Sequence, residues 1–174
     1  MKNLFKQTSV SRKVTLLLAA MLIIASLNIG VVFHYQSQVS EDSNSVDVAG
    51  QQRMLSQQMT RHANAVAAGD DDAREPLRAS MEKYQSNLDA LDSGGTVGGT
   101  RVPAVPDSAR DELQAEQQEW ESFRSNVEVV LNEESGTEDF EVAVAEIQAE
   151  SDGLLTTSDD LVTALSVASS EKIN

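Results

Sequence analysis

The run Ala49-Gly50-Gln51-Gln52-Arg53-Met54-Leu55-Ser56-Gln57-Gln58-Met59-Thr60-Arg61 decides the fold. It holds no Pro and a single Gly, and its residues suit a helix. Helical spacing sorts it and its flanks into two stripes. Val46, Ala49, Arg53, Ser56, Thr60 and Ala63 follow alternating steps of three and four along one side. Val48, Gln52, Leu55, Met59, His62 and Val66 do the same nearly opposite. The second stripe is the greasy one and is expected to face the chain's own core. The first is small and polar around one arginine, and small residues let another helix come close. A guanidinium in such a seam needs an acceptor. An acid on a neighbouring helix would be one.

Outward from this run the charge is lopsided. Residues 1–33 carry Lys2, Lys6, Arg12 and Lys13 and no acid, whereas the rest carries 28 acids against nine bases. So acidic a surface argues against a nucleic-acid partner, which needs a basic face. Five Lys against eight Arg, on an acid-rich background, suits a high-salt, halophilic setting where ions screen the self-repulsion. Cys is absent, so neither disulfides nor thiolate metal sites are available. Val14–Phe33 is uncharged over twenty residues, which at helical rise is ~30 Å, the thickness of a bilayer core. His34 and Tyr35 follow where interfacial rings are favoured. Bases before the run and acids after it predict a cytoplasmic tail over 1–13, a single transmembrane helix over 14–35, and an extracytoplasmic domain over 36–174.

No Pro or Gly interrupts Gln36–Ala49, so the membrane helix is expected to continue into the first domain helix, ending near Ala68 before Gly69. A second helix is predicted to start near Pro76, in a first-turn position, with Leu77, Met81, Tyr84, Leu88 and Leu91 as a heptad seam, stopping at Ser93-Gly94-Gly95. Composition reads Gly94–Pro106 as a loop. A third helix, capped by Asp107 or Ser108, carries Leu113, Trp120, Phe123, Val127 and Val130, with a polar gap at Glu116-Gln117. Trp120 is expected to anchor the core. A fourth, capped by Thr137, keeps heptad steps through Phe140, Val144, Ile147, Ser151, Leu154, Ser158, Leu161, Leu165 and Ala168. The expected fold is all-α: an antiparallel four-helix bundle with one N-terminal transmembrane helix continuous with its first helix. No second apolar span follows Ser169-Ser170, so the reading expects a truncated receptor or a separate signalling partner carrying the cytoplasmic output.

Ala49-Gly50-x-x-Arg53-Met54-x-Ser56-x-x-Met59 resembles the signature box in the N-terminal domain of type IV pili methyl-accepting chemotaxis transducers. It is related to the box of nitrate/nitrite sensor histidine kinases, and Gln51-Gln52 before the arginine match the pilus-transducer type better. Leu154-Leu155 with Leu161-Val162 resembles the closing helix of the same transducer domains. The resemblance implies a membrane-anchored sensory domain. In the kinases an arginine from each subunit holds the anion at a dimer interface, and the matching position is Arg53. It thus implies a homodimer, and a small oxyanion held by Arg53 with Ala49, Gly50, Ser56 and Gln57 around it. The alternative is a structural or interaction bundle that pairs with another membrane receptor without a small ligand.

Chemistry is not expected. His34 and His62 lie ~42 Å apart at helical rise and cannot share a metal within one chain. Asp70-Asp71-Asp72 lacks the spacing of a calcium loop. No nucleophile–base order is visible, so no catalytic residue, metal or cofactor is assigned.

Overall fold

The structure is a computed structural model that describes residues 10–171, with side chains described at residue 15 and over 17–30 and 43–171. The expected tail over 1–13 and the interfacial His34 and Tyr35 fall outside the described side chains. The chain divides after Ser40 into two compact units. In the first, the described side chains of the apolar run are all exposed, with Leu17, Leu18, Met21, Leu22, Ile23, Ile24, Leu27 and Ile29 prominent. Among the described residues no helix is long and apolar enough to cross a membrane. Part of the run read as a span, Val14, Leu16 and residues 31–35, lies outside the described side chains.

Four helices follow the predicted order: α1 Val10–Ala67, α2 Arg74–Ser93, α3 Arg110–Asn132 and α4 Glu138–Glu171. Within the second unit they run antiparallel where side chains tie them. Arg53 on α1 meets Asp159 on α4, and eleven residues further along α1 Asn64 accepts from Gln148, eleven residues back on α4. On α2 and α3, Gln85 meets Trp120 and Asp92 meets Arg110. On α3 and α4, Glu116 meets Ser158 and Asn126 meets Glu150. The heptad seams are the core: Leu77, Tyr84, Leu88 and Leu91, then Leu113, Trp120, Phe123, Val127 and Val130, then Phe140, Val144, Ile147, Leu154, Leu161 and Leu165. Met81 packs against it only partly buried. Trp120 is a core anchor, its ring stacked 4.1 Å from that of Tyr84.

Two expectations need correction. Gly94–Pro106 is not all loop: β1 Gly95–Val97 pairs antiparallel with β2 Thr100–Val102. Gly98 and Gly99 make its turn with φ of 56° and 85°, the left-handed pair that a two-residue hairpin requires. The hairpin buries Val102, and Asn44 and Ser45 of α1 donate to the carbonyls of Arg101 and Pro103. Neither Asp107 nor Ser108 caps α3. They sit in a 3-10 turn, Asp107–Ala109, and the helix starts after Ala109 with no side-chain cap. Helix α2 starts at Arg74, so Pro76 lies in its first turn as expected, where its missing N–H has no partner to lose.

Arg74 is the tie the sequence reading passed over. It is a quarter exposed or less, donates to Asp71, Ser135 and the Val130 carbonyl, and lies 5.8 Å over the Phe140 ring. One guanidinium thus joins the starts of α2 and α4 to the end of α3.

Candidate functional site

The two stripes of the deciding run are not a core face and a free face. Val48, Gln52, Leu55, Met59 and Val66 are buried as expected, but so are Ala49, Ser56 and Ala63 of the small stripe. Their size lets a neighbouring helix of the same chain approach, which places them in the intrachain core rather than against a second copy. Ala49 and Ser56 therefore lie beneath the surface, Ser56 turning its hydroxyl back to the Arg53 carbonyl at 2.9 Å. Arg53 and Gln57 are exposed, and Gly50 is partly so, with nothing within 4 Å of where a Cβ would stand. Met54 is 48% exposed beside them. The exposed strip is thus Gly50, Arg53, Met54 and Gln57, one step around the helix from the expected stripe.

Arg53 meets an acid on a neighbouring helix. Its Nε lies 2.5 Å from Asp159 Oδ1 as an ion pair, with the two side chains 49% and 47% exposed. Half-exposed pairs of this kind contribute little to stability, because solvent screens them and two long side chains must be held still.

Beneath this pair lies a polar layer to which all four helices contribute. Gln52, next to Arg53, donates from Nε2 to the Tyr84 carbonyl at 3.2 Å. The Tyr84 hydroxyl donates to Glu116 Oε1 at 2.7 Å. Ser158, next to Asp159, donates to the same oxygen at 2.7 Å. Gln52, Tyr84, Glu116 and Ser158 have no solvent exposure, and neither has Asn87, one turn along α2 from Tyr84. Glu116 Oε2, Gln52 Oε1 and both polar atoms of Asn87 are buried with no hydrogen-bond partner among the described residues. Burial raises the Glu116 carboxyl above the usual carboxylate range, against the two hydrogen bonds that pull it down. Burial, and then the charge of Glu116, hold the Tyr84 phenol well above its ordinary value. Sequence reasoning saw Glu116 as a gap in the seam. The signal was its spacing: three after Leu113 and four before Trp120, it occupies a seam position and must be buried.

A groove of about 240 Å³ opens between α2 and α3, lined by Gln85, Leu88, Gln117, Trp120, Glu121 and Arg124. Trp120 Nε1 donates to Gln85 Oε1 at 2.7 Å along its wall. It lies on other helices than the Arg53 strip. Among the described residues no group of three His, Asp or Glu side chains is placed to hold a metal ion.

The class of the bundle comes from its likeness to the sensory domains of chemotaxis transducers. Residues 36–145 match the family described as type IV pili methyl-accepting chemotaxis transducer N-terminal (PilJ), and the chain belongs to it. It is 25% identical over 108 residues to the protein PilJ of Pseudomonas aeruginosa, an alignment covering 60% of this chain and 16% of PilJ, so the chain spans about a sixth of that relative. Among solved structures it is similar to the ligand-binding domain of the P. aeruginosa nitrate receptor McpN. That likeness has a TM-score of 0.58 and 26% identity, over 71% of this chain and 94% of that one.

Proposed function

We propose that the chain is the extracytoplasmic sensory domain of a chemotaxis-transducer-like protein, anchored by Val14–Phe33, and that it binds a small oxyanion such as nitrate at Arg53. The observation that carries the ligand reading is the exposure of Arg53 within the region that matches the family, in a fold shared with the ligand-binding domain of a nitrate receptor. A half-exposed guanidinium retains N–H donors that a planar oxyanion can take in pairs. The anchor reading is supported by the uncharged run and by its eight large apolar side chains, each more than half exposed. Two copies pair across the strip of Gly50, Arg53, Met54 and Gln57, so that each contributes an arginine, and a signalling partner or a further segment carries the output. The acid-rich, lysine-poor surface supports a high-salt habitat.

The test is a titration of the full chain in detergent micelles with nitrate and nitrite at fixed ionic strength, chloride serving as control. At a hundred times its dissociation constant a ligand stabilises the fold by ~2.7 kcal/mol per site. Arg53→Ala removes that gain and Arg61→Ala retains it. The second reading, a bundle with no small ligand, is favoured by the Arg53–Asp159 contact, in which Arg53 already has a partner. On that reading nitrate and chloride stabilise the chain equally.

A further inference from the structure

We infer that Asp159 is a built-in competitor for the anion at Arg53, setting the concentration at which the site fills and releasing α4 from α1 when it does. The inference rests on the anion reading of Arg53 and adds its regulation. The Asp159 carboxylate is chemically close to the proposed ligand: a planar, delocalised monoanion presenting oxygens to a guanidinium. Its Oδ1 lies 2.5 Å from Arg53 Nε as an ion pair, on the side edge from which arginine binds an oxyanion through two parallel N–H groups. A nitrate using that edge must displace Asp159. A nitrate using the terminal edge still meets a negative charge a few ångströms away.

Exposure decides whether displacement is feasible. With the two side chains 49% and 47% exposed, the pair is screened and weak, so an incoming anion has little to overcome and the released carboxylate is at once hydrated. The neighbours on both helices extend the consequence inward. Arg53 follows Gln52, and Asp159 follows Ser158, and both Gln52 and Ser158 belong to the buried layer around Glu116. Exchange of Asp159 for an anion unties α1 from α4 at the level where each also joins that layer. The contact from Gln148 to Asn64, further along, is untouched.

The experiment compares nitrate affinity of the full chain with that of Asp159→Asn, Asp152→Asn and Arg53→Ala, by calorimetry in detergent at 0.15 M salt. Asp152 is exposed on α4 about 10 Å along the helix, so it controls for general loss of negative charge, which salt screens at that range. Asp159→Asn is expected to bind nitrate about fivefold more tightly, and Asp152→Asn within about twofold of the parent. Parent binding that Arg53→Ala abolishes, with Asp159→Asn no tighter, overturns the competitor and leaves the anion site standing. Nitrate binding to neither parent nor Asp159→Asn overturns both. Should Asp159→Asn fail to fold, the unaltered chain serves: the carboxylate carbon resonance of Asp159 shifts on saturation with nitrate, and its constancy while nitrate binds overturns the competitor.

Discussion

Tyr84 donates a hydrogen bond from its hydroxyl to Glu116 in the middle of the bundle, and that carboxyl has one oxygen engaged by two hydroxyls and the other, among the described residues, by none. Burial outweighs the two hydrogen bonds and favours the neutral carboxyl. Because the folded-state value is raised, the folded chain binds more protons than the unfolded one once pH passes the ordinary carboxylate value of about 4.3. Stability contributed by the neutral form is complete below that value and declines as pH rises through the raised one. Glu116→Gln keeps the shape and the acceptor oxygen and removes the ionisation. Urea melts from pH 4 to pH 8 are expected to show a shallower loss of stability with pH in Glu116→Gln than in the parent. Equal slopes would assign the pH dependence elsewhere.

Tyr84→Phe retains the ring that stacks on Trp120 and removes a hydroxyl that reaches Glu116 and Ser158. The expected loss is about 1–2 kcal/mol, the size of a buried hydrogen bond whose acceptor keeps one other donor. The parent, whose phenol is held above its ordinary value, also loses stability as pH rises beyond about 10, where the unfolded phenol gives up its proton first. Chemical denaturation of Tyr84→Phe at alkaline pH should lack that part of the decline.

Arg74→Ala removes the contacts to Asp71, Ser135, the Val130 carbonyl and the Phe140 face together. A loss of about 1–3 kcal/mol is expected, because the Val130 carbonyl is left without its charged donor at a part-buried position. Arg74→Lys should restore only part of it, since an ammonium cannot fork to two acceptors while lying over a ring. Thermal melts that rank lysine level with arginine would show the charge alone to matter.

Gly50→Ala separates fold from function. Gly50 is inside α1 with open space around its Cα, so alanine should stabilise the isolated chain by about 0.5–1 kcal/mol. If two copies meet across the Gly50–Arg53–Met54–Gln57 strip, the added methyl stands between them. The expected result is a higher melting temperature at low protein concentration with weaker association in analytical ultracentrifugation. Unchanged association would move the pairing face away from Gly50.

Much of this fold was legible because heptad spacing is a strong signal in long helices: Leu77 to Leu91 and Phe140 to Ala168 fall where their steps place them. The hairpin was missed although Thr96-Val97 and Thr100-Arg101-Val102 flank a Gly-Gly pair, because glycine density was read as loop and the β-branched residues beside it were not weighed. The two stripes of α1 were separated correctly, but a helix lying among three others buries more than one stripe, and Ala49, Ser56 and Ala63 could not be assigned by periodicity alone. Arg53 was legible as an arginine needing an acceptor, while Asp159 was not legible as that acceptor. Many acids line α4, and only the antiparallel alignment of the two helices selects one.

The layer around Glu116 also restricts how α4 can travel. Sliding α4 by one turn, ~5.4 Å, would carry Ser158 away and bring Leu154 or Val162 against the buried carboxyl. That exchange leaves Tyr84 as the carboxyl's single donor in an apolar surround, at a penalty of about 1–3 kcal/mol. At the surface the same slide sets Leu155 or Thr163 opposite Arg53. Spin labels on Gln57 and Thr156 should therefore report displacements well short of a turn when nitrate is added. The seryl–carboxyl contact is thus a detent against a one-turn stroke of α4, and it leaves tilt and rotation within the fixed alignment open.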